Sequence, residues 1–291
     1  MNRIRFVDDI HKYFKGNYEY ISVTTLKGKY VKPFNTKYWS LYHGVRLYMN
    51  MEKDEFSNYM WETYRFRKME ENYERLSIIA GLISEKTFDL AKKVAGEWND
   101  YKEYRGFLGT NYHKEKELKA YQQGFDVIDG KKGITQGVYS YDLSELKDGF
   151  YSELLVYLDE LFYFDELILA GVAGQVDKAL IETIGNTRWV DIDDYKTCAK
   201  ISVNNKWQKL LFPLNKLDDC DLNKFSVQLN LYGMILEQYG FKVRKLRFTH
   251  CVIDEKTEKC IDEIPYDLLI MTELMKELVH HYRKNNPLKI K

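Results

Sequence analysis

Proline and net charge are both scarce in this sequence, and each shortage excludes a class of protein. Only four of the 291 residues are proline, which argues against small modules joined by extended linkers. Lysine and arginine number 44, aspartate and glutamate also number 44, and the formal net charge is zero. A neutral chain is neither a histone-like polycation nor an acidic tail protein, so any nucleic-acid contact must come from a local basic patch.

Cysteine is also rare, and the four cysteines form no C-x-x-C pair: Cys198, Cys220, Cys251 and Cys260. The gaps between them are 22, 31 and 9 residues, whereas zinc ribbons and iron–sulfur sites use closely spaced pairs. We therefore expect reduced thiols and no iron–sulfur cluster.

Long apolar runs are missing as well. The longest one, residues 76–83, is far shorter than the ~20 residues that a helix needs to cross a bilayer. The N-terminal residues contain no apolar segment of the kind that a secretion signal needs. We therefore expect a cytoplasmic protein with no membrane partner.

The chain does contain enough apolar surface for a hydrophobic core, because 45% of its residues are hydrophobic. Residues 36–104 are charged, aromatic and free of proline, which predicts a helical region, and later segments alternate in the manner of strands. We predict an α/β protein. Residues 1–105 would form an N-terminal hairpin and helical region and residues 106–291 the core, with no composition break between them.

Local patterns predict the individual elements. Residues 3–21 alternate as a hairpin that turns at residues 15–17. Helices are predicted over residues 110–123 (starting after Gly109), 225–239 (ending before Gly240) and 266–283. Strands are predicted over residues 153–157, 167–182, 189–195, 243–254 and 259–264.

Two acidic side chains and one lysine are expected to meet at the end of the sheet. Asp194 and Lys196 share one face of a predicted strand, about 6.5 Å apart, because side chains on a strand alternate. Asp177, on the preceding strand, would lie beside them. Carboxylates are ligands that Mg²⁺ prefers, and a lysine can stabilise charge on a phosphate or help to deprotonate an attacking water. The three residues therefore favour metal-dependent phosphodiester hydrolysis.

Two flanking pairs extend this pattern. His113 and Glu117 are one turn apart on one helix face, and an imidazole can be an additional metal ligand. Gln228 and Tyr232 share a face of the helix predicted over residues 225–239. Gln228 could donate to a phosphate or brace Lys196, and Tyr232 has packing in the core as an equal alternative.

Taken in chain order, these fragments resemble the PD-(D/E)XK nuclease superfamily, in particular its RecB-like exonuclease branch. That branch reads Gly-x-x-x-His-x-x-x-Glu, Gly-x-x-Asp, Asp/Glu-x-Lys and Gln-x-x-x-Tyr. The chain has all four in this order: Gly109/His113/Glu117, Gly174/Asp177, Asp194/Lys196 and Gln228/Tyr232. Residues 11–13, 21–24, 33–35 and 38–39 are similar to bacteriophage-encoded members, and residues 217–220 to those and to the mitochondrial genome maintenance exonucleases.

The resemblance implies a restriction-endonuclease-like core, with a central mixed sheet flanked by helices, and a Mg²⁺- or Mn²⁺-dependent deoxyribonuclease. It implies four metal ligands: His113, Asp177, Asp194 and the backbone carbonyl of Tyr195. It makes Lys196 the catalytic lysine, and Gln228 a residue that supports the active site or holds the DNA backbone. Glu153 stands where the family often has another acidic group, and a structural salt bridge is its alternative role.

Local clusters of basic and aromatic residues suggest where a neutral protein could hold DNA. Lys200, Lys206 and Trp207 lie between the Asp-x-Lys strand and the Gln228 helix, and Arg65 and Arg67 lie among aromatic residues. Cations interleaved with rings are typical of single-strand binding. Aromatic residues at helical spacing also pack in cores, and this alternative stays open.

The expected function is a DNA exonuclease of phage-type replication, recombination or repair that leaves 5′-phosphates and acts on single-stranded or free ends. A recombinase or a single-strand-binding protein is a candidate partner, and the host cytoplasm is the expected location if the chain is phage-encoded. Two alternatives remain. One is a structure-specific endonuclease with the same metal site, and the other is a catalytically inactive DNA-binding protein.

Overall fold

The computed structural model describes residues 3–7, 10–124, 126–127, 138–139, 142–164 and 168–285. These residues divide into two compact units: one contains Met1–Lys32 and Leu108–Lys291, and the other contains Pro33–Phe107. The prediction grouped residues 1–105 together. In the structure, the N-terminal strands belong instead to the same unit as the second half of the chain, because they pair with its sheet.

The Pro33–Phe107 unit is helical, as its sequence predicts. It contains α2 (Thr36–Met49), α3 (Lys53–Tyr64), α4 (Tyr73–Ile83) and most of α5 (Lys86–Gln122), within which the unit boundary falls. Its core is rich in buried aromatic and aliphatic side chains, among them Tyr38, Phe56, Phe66 and Leu76. In the described residues, no helix combines the length and the apolar character that crossing a bilayer requires.

The other unit contains the sheet and three further helices. Its strands are β1 (Arg5–Val7), β2 (Lys12–Lys15), β3 (Tyr18–Ser22), β4 (Asp126–Val127), β5 (Val138–Tyr139), β6 (Gly149–Phe164), β7 (Ile168–Ile184), β8 (Thr187–Lys196), β9 (Phe241–Asp254) and β10 (Lys259–Leu268). Its helices are α1 (Val23–Gly28), α6 (Asp221–Glu237) and α7 (Thr272–Asn285), together with the C-terminal part of α5.

The sheet is mixed and its strands follow the order β10-β9-β8-β7-β3-β2-β1-β5, with β6 also paired to β7 and β4 to β6. β6, β7 and β8 are antiparallel neighbours, whereas β9 is parallel to β8 and β3 is parallel to β7. This architecture confirms the predicted α/β class with a mixed sheet flanked by helices.

One edge of β7 is interrupted in the middle of the sheet. β6 pairs along most of β7 on one side, so β3 and β8 must both pair with the opposite edge. β3 pairs with Val172 and Ala173, and β8 pairs with Lys178 to Ile184, which leaves residues 174–177 between them. Because β3 is parallel and β8 antiparallel to β7, their C-terminal ends approach this gap from opposite directions. Openings at the carboxyl ends of strands are common ligand sites in α/β proteins.

Helices cover the two faces of the sheet near this gap. Neighbouring residues of a strand point to opposite faces. The ring of Tyr195 contacts Tyr112 of α5 at 5.7 Å between centroids, while the ammonium of Lys196 lies 5.1 Å from the ring centroid of Phe225 in α6. α5 and α6 therefore lie on opposite sides of β8.

Four predicted elements have different boundaries in the structure, the first being the helix predicted over residues 225–239, which is α6 and begins at Asp221. The helix predicted to begin at Thr110 is part of the continuous α5. Gly109 does not end a helix but lets Thr197 approach α5 closely, because a Cβ at this position would lie 2.8 Å from Oγ1 of Thr197. Residues 266–268, predicted as helix, belong to β10, where Tyr266 stacks on Phe248 of β9. The predicted strand over residues 153–157 is only the centre of the much longer β6.

Candidate metal centre

Three acidic residues lie at matching positions on three neighbouring strands. Glu153 of β6 is flanked by the pairs Ser152–Lys178 and Leu154–Val176, so it lies opposite Asp177 of β7. The β7–β8 register likewise places Asp194 next to Asp177, directly after the last pair, Lys178–Asp193. The acidic row therefore crosses the sheet at the edge of the gap, as predicted for Asp177 and Asp194.

His113 approaches this row from α5. Its Nδ1 lies 3.5 Å from Oδ2 of Asp177, and its ring centroid lies 6.2 Å from that of Tyr195. The imidazole is about one-third exposed, so one side of it faces solvent. The helical position predicted for His113 thus brings a nitrogen ligand to the carboxylate of Asp177.

His113, Glu153 and Asp177 each offer a ligand atom within 4.8 Å of the other two. In the part of the chain that the structure describes, no other group of three His, Cys, Asp or Glu side chains comes as close together. Glu153 and Asp177 also line a cleft of about 240 Å³, together with Glu117 and the lysines Lys116, Lys119 and Lys178. Glu153, predicted either as another acidic group of the site or as part of a structural salt bridge, thus has a position that fits a cation ligand.

The backbone of Glu153 is unusual for a strand residue. Its φ is +56°, in the left-handed region that costs a residue other than glycine about 1–3 kcal/mol. Such conformations persist only where the surrounding structure determines them, and here β6 pairs with β7 on both sides of Glu153. The fold thus maintains a strained backbone at the point where a third ligand meets Asp177.

Asp177 lies in the gap and is influenced by charges from both faces. The backbone N–H of Tyr195 donates to its Oδ2 at 2.6 Å. Burial and the nearby Asp194 carboxylate raise the pKa of Asp177 from 3.8 to about 6, although His113 and Lys196 oppose this shift. A carboxylate that is costly to ionise in the bare protein has a strong electrostatic reason to accept a cation.

Asp194 and Lys196 form an ion pair on the α6 side of β8. Asp194 is 2% exposed and Lys196 is 17% exposed, so both charges are largely removed from water. Burial lowers the pKa of Lys196, but Asp194 and Asp177 outweigh it and the net shift is upward. Asp194 and Lys196 are therefore close together, as predicted. Asp194 pairs with the lysine, however, and is not part of the three-ligand group.

Gln228 braces a lysine that the sequence analysis did not identify. Its Oε1 accepts a hydrogen bond from Nζ of Lys27 at 3.0 Å, and its Nε2 donates to the hydroxyl of Tyr232 at 3.2 Å. Of the two roles predicted for Gln228, bracing Lys196 is not seen, because its amide engages Lys27 and Tyr232, and donating to a phosphate stays a prediction. Tyr232 is 3% exposed and packs in the core, which was one of its two predicted roles.

Gly174 is required by the tight packing under the gap. A Cβ at this position would lie 2.5 Å from the Tyr232 ring and 3.2 Å from Val23 of α1. The Gly-x-x-Asp spacing therefore has a physical cause: the glycine admits α1 and α6 close to β7, and the aspartate follows at the edge of the gap.

The predicted DNA-binding residues lie on exposed surface. Lys200 and Lys206 are exposed and Trp207 is 83% exposed, in the connection between β8 and α6. In the helical unit, the guanidinium groups of Arg65 and Arg67 lie 5.5 and 4.6 Å from the ring centroid of Trp61. Phe66, which lies between the two arginines in the sequence, is buried in the core. Core packing therefore accounts for this ring but not for the whole aromatic cluster.

The remaining predicted residues are placed as follows. Glu117 lines the cleft near Glu153 and Asp177. Tyr195 contributes its backbone N–H to Asp177, and the ligand role predicted for its carbonyl stays a prediction. Lys27 and Phe225 lie near Lys196 and were missed, because no motif links them to residues so distant in sequence.

Comparison with known proteins adds little to this geometry. No family model matches the chain, and no curated protein matches it. Among solved structures, one described as "Crystal structure of SSO0001" is similar at 8% sequence identity, covering 85% of this chain and 84% of that chain, with a TM-score of 0.32. A similarity of this size supports no functional inference, so the proposal below depends on the residues of the site.

Proposed function

We propose that this chain is a metal-dependent DNA exonuclease of the PD-(D/E)XK type that hydrolyses phosphodiester bonds. The observation that carries the proposal is the group of ligand atoms from His113, Glu153 and Asp177, at a gap in the sheet beside the Asp194–Lys196 pair. The order of these residues along the chain supports the resemblance from which the nuclease assignment comes.

The three side chains fit a divalent cation such as Mg²⁺ or Mn²⁺. Ligands on opposite sides of one Mg²⁺ are about 4.2 Å apart, and the three ligand atoms already lie within 4.8 Å of one another. Only one pair of the three can be opposite, and neighbouring ligands of one Mg²⁺ are about 3.0 Å apart, so side-chain shifts of up to about 1 Å would bring all three to one ion. Oxygen ligands suit Mg²⁺ and Mn²⁺, and the open cleft leaves room for water and substrate oxygens.

The chemistry of the site divides between the cation and the side chains. A bound divalent cation supplies Lewis-acid polarisation of the phosphate and lowers the pKa of water. Lys196 presents a positive hydrogen-bond donor next to the acidic row, suited to a phosphate oxygen that gains charge in the transition state. Asp194 holds this ammonium in place, and the core packing around Asp194 fixes the pair.

A DNA backbone is the substrate that suits the surroundings of the site. Lys116, Lys119 and Lys178 line the cleft among five carboxylates, and Lys116 and Lys119 pair with Glu263 and Glu115. A bound divalent cation would therefore be needed to make this cleft attractive to a phosphate, with the lysines next to it. The exposed Trp207 and the two nearby lysines offer a ring and charges for an unpaired strand. The exonuclease assignment itself follows from the resemblance to the RecB-like branch.

The test is a digestion time course with purified protein and end-labelled linear DNA, single-stranded and duplex, beside a closed single-stranded circle. With Mg²⁺ or Mn²⁺ we expect linear DNA to be shortened from its ends, the circle to remain intact, and EDTA to stop the reaction. Asp177→Asn and Glu153→Gln should lose activity. Glu277→Gln, an exposed carboxylate on α7, is the matched control and should retain it.

Other outcomes would change the assignment in defined ways. Cleavage of the circle would indicate the endonuclease alternative on the same metal site. Metal-independent DNA binding without any cleavage would indicate the inactive DNA-binding alternative. If Asp177→Asn cleaves at the wild-type rate, the metal centre described above does not perform the reaction.

A further inference from the structure

Lys27 is a partly buried lysine beside the candidate active site. It lies in α1, directly after β3, where the side chain of Ser22 caps the helix by accepting from the backbone N–H of Thr25 at 3.0 Å. Its Nζ donates to Oε1 of Gln228 and lies 5.9 Å from the ring centroid of Phe225. The ammonium of Lys196 lies 5.1 Å from the same centroid, so two cations share one ring.

Lys27 has no carboxylate within ion-pair distance among the described residues. The carboxylates near it are engaged elsewhere: Asp194 pairs with Lys196, and Asp221 accepts from the hydroxyl and backbone N–H of Ser202. Burial, the largest cause, and the like charges of Lys196 and Lys224 lower the pKa of Lys27 to about 8, although Asp194 and Asp221 oppose this shift. The fold thus holds a cation that the nearby carboxylates compensate only in part.

A partly buried cation without a counter-ion is costly, and a lowered pKa or a bound anion reduces this cost. Within the described residues, the neutral amide oxygen of Gln228 is the one acceptor that engages the three N–H groups of Lys27. Gln228 is itself fixed by Tyr232, so the ammonium is positioned and not free to swing into solvent. It is a point of fixed positive charge next to the lysine of the Asp-x-Lys motif.

We propose that Lys27 is a second phosphate-binding lysine, which contacts a non-bridging oxygen of the substrate phosphodiester on the α6 side of the gap and is oriented there by Gln228. This inference rests on the proposed nuclease function and adds to it a residue that touches the substrate. The ligand is a DNA phosphodiester, and the contact is through the backbone, so it is independent of base sequence.

The test separates binding from cleavage by working in EDTA with a labelled single-stranded oligothymidylate. Affinity is measured over a range of salt concentrations for the wild type, Lys27→Met and Lys27→Arg. Losing one phosphate contact should lower the slope of log K against log salt by about 0.7. Losing a charged hydrogen bond should weaken binding roughly 10- to 100-fold. Lys27→Arg should restore most of both.

The matched control is Lys29→Met, an exposed lysine at the end of the same helix. If it changes the salt slope as much as Lys27→Met, the effect is a general charge effect and the inference is wrong. Lys27→Gln, which keeps a polar group next to Gln228, is measured alongside in case methionine disturbs the packing.

A second readout locates the contact on the DNA. Single phosphates of the oligonucleotide are replaced in turn by neutral methylphosphonates. At one position the methylphosphonate should weaken binding by the wild type. The same replacement should leave the affinities of Lys27→Met and Lys27→Gln unchanged, because these variants have already lost the contact. Equal losses in wild type and variants at every position would overturn the inference.

The two proposals fail in different ways. If the wild type cleaves DNA but the Lys27 variants bind it with unchanged slope and affinity, the nuclease assignment stands and the role of Lys27 is wrong. If the wild type neither binds nor cleaves DNA with any of the metals, the nuclease function fails and the role of Lys27 fails with it.

Discussion

Glu153 and Asp177 lie opposite each other on neighbouring strands, and their nearest ligand atoms are within 4.8 Å. Two carboxylates this close repel each other in the bare protein unless a proton or a cation lies between them. The left-handed backbone of Glu153 shows that the fold accepts strain in addition to this repulsion. The repulsion is reduced when a divalent ion binds, and this relationship makes the site testable without any assay of activity.

Removing the Glu153 carboxylate should weaken metal binding without removing the fold. Glu153→Gln keeps the size of the side chain but loses a charged ligand. Loss of an outer-shell partner of a metal site typically lowers metal affinity ~10–100-fold. Because Glu153 would bind the ion directly, we expect the affinity for Mn²⁺ to fall by at least this much. Isothermal titration calorimetry of the metal-free protein measures this, with Glu277→Gln as the control. Equal Mn²⁺ affinity for Glu153→Gln and wild type would remove Glu153 from the ligand set.

Asp177 should make the stability of the metal-free protein depend on pH. Its folded-state pKa is raised to about 6 from 3.8, so between these values the folded protein holds a proton that the unfolded chain releases. The contribution of Asp177 to the free energy of unfolding should therefore decrease by about 2–3 kcal/mol as pH rises through this window, and stay constant above it.

The measurement is urea unfolding in EDTA at a series of pH values, with Asp177→Asn as the comparison. The variant cannot ionise at residue 177, so it should lack this part of the pH dependence and be the more stable protein at pH 7. A wild type that gains stability over the variant between pH 4 and 6 would contradict the prediction. Added Mn²⁺ should stabilise the wild type more at pH 7 than at pH 5, because the ion binds the ionised carboxylate.

The Asp194–Lys196 ion pair should be far more sensitive to substitution than an exposed pair. Lys196→Met leaves the carboxylate of Asp194, only 2% exposed, without its cation, and we expect a loss of about 3–5 kcal/mol. The double variant Asp194→Asn/Lys196→Met should be less destabilised than Lys196→Met alone, since no buried charge remains. Denaturant titration of the single and double variants tests this.

The control for this prediction is the surface pair of Lys12 and Glu19, which are 47% and 51% exposed. Lys12→Met should cost no more than about 1 kcal/mol because water screens the pair. If Lys196→Met is as mild as Lys12→Met, the buried pair has little energetic importance. If Lys196→Met loses this much stability, part of the sample can be unfolded. The nuclease activity of a Lys196 variant must then be compared with the fraction of the protein that is folded.

Gly174→Ala should destabilise the protein by about 1–3 kcal/mol, because its methyl group meets the buried ring of Tyr232 at 2.5 Å. Gly106→Ala in α5 is the contrasting variant. Apart from its chain neighbours and the adjacent helix backbone, no described atom lies within 4 Å of a Cβ there, so the better helix propensity of alanine should give up to about 1 kcal/mol of added stability. Thermal unfolding compares the two, and equal effects would mean that the packing at Gly174 is loose.

Much of the fold follows from the sequence because periodicity reports burial. The alternation in β8 leaves Val190 and Ile192 buried and Asp191 and Asp193 only partly so, which is the pattern expected of a strand with one core face. The continuity of α5 through Gly109 could not be predicted in this way. A glycine that ends a helix and a glycine that permits contact with Thr197 have the same local sequence.

The sequence predicts those residues of the candidate site that belong to short motifs. Asp194 and Lys196 meet as their spacing predicts, because side chains on a strand alternate, whereas the approach of His113 to Asp177 is expected only from the family resemblance. Lys27 could not be found from its sequence context. Its position depends on β3 pairing with β7 at the edge of the gap, a long-range relationship that no local pattern encodes.

That same long-range pairing sets the order in which the chain can fold as it is synthesised. Ile21 of β3 pairs with Val172 of β7, about 150 residues later, while Pro33–Phe107 has its own core. At ~5–20 residues per second, the first strands would wait roughly 8 to 30 s for their partner to leave the ribosome. The helical insertion can therefore be complete before the sheet that surrounds the acidic row has begun to close.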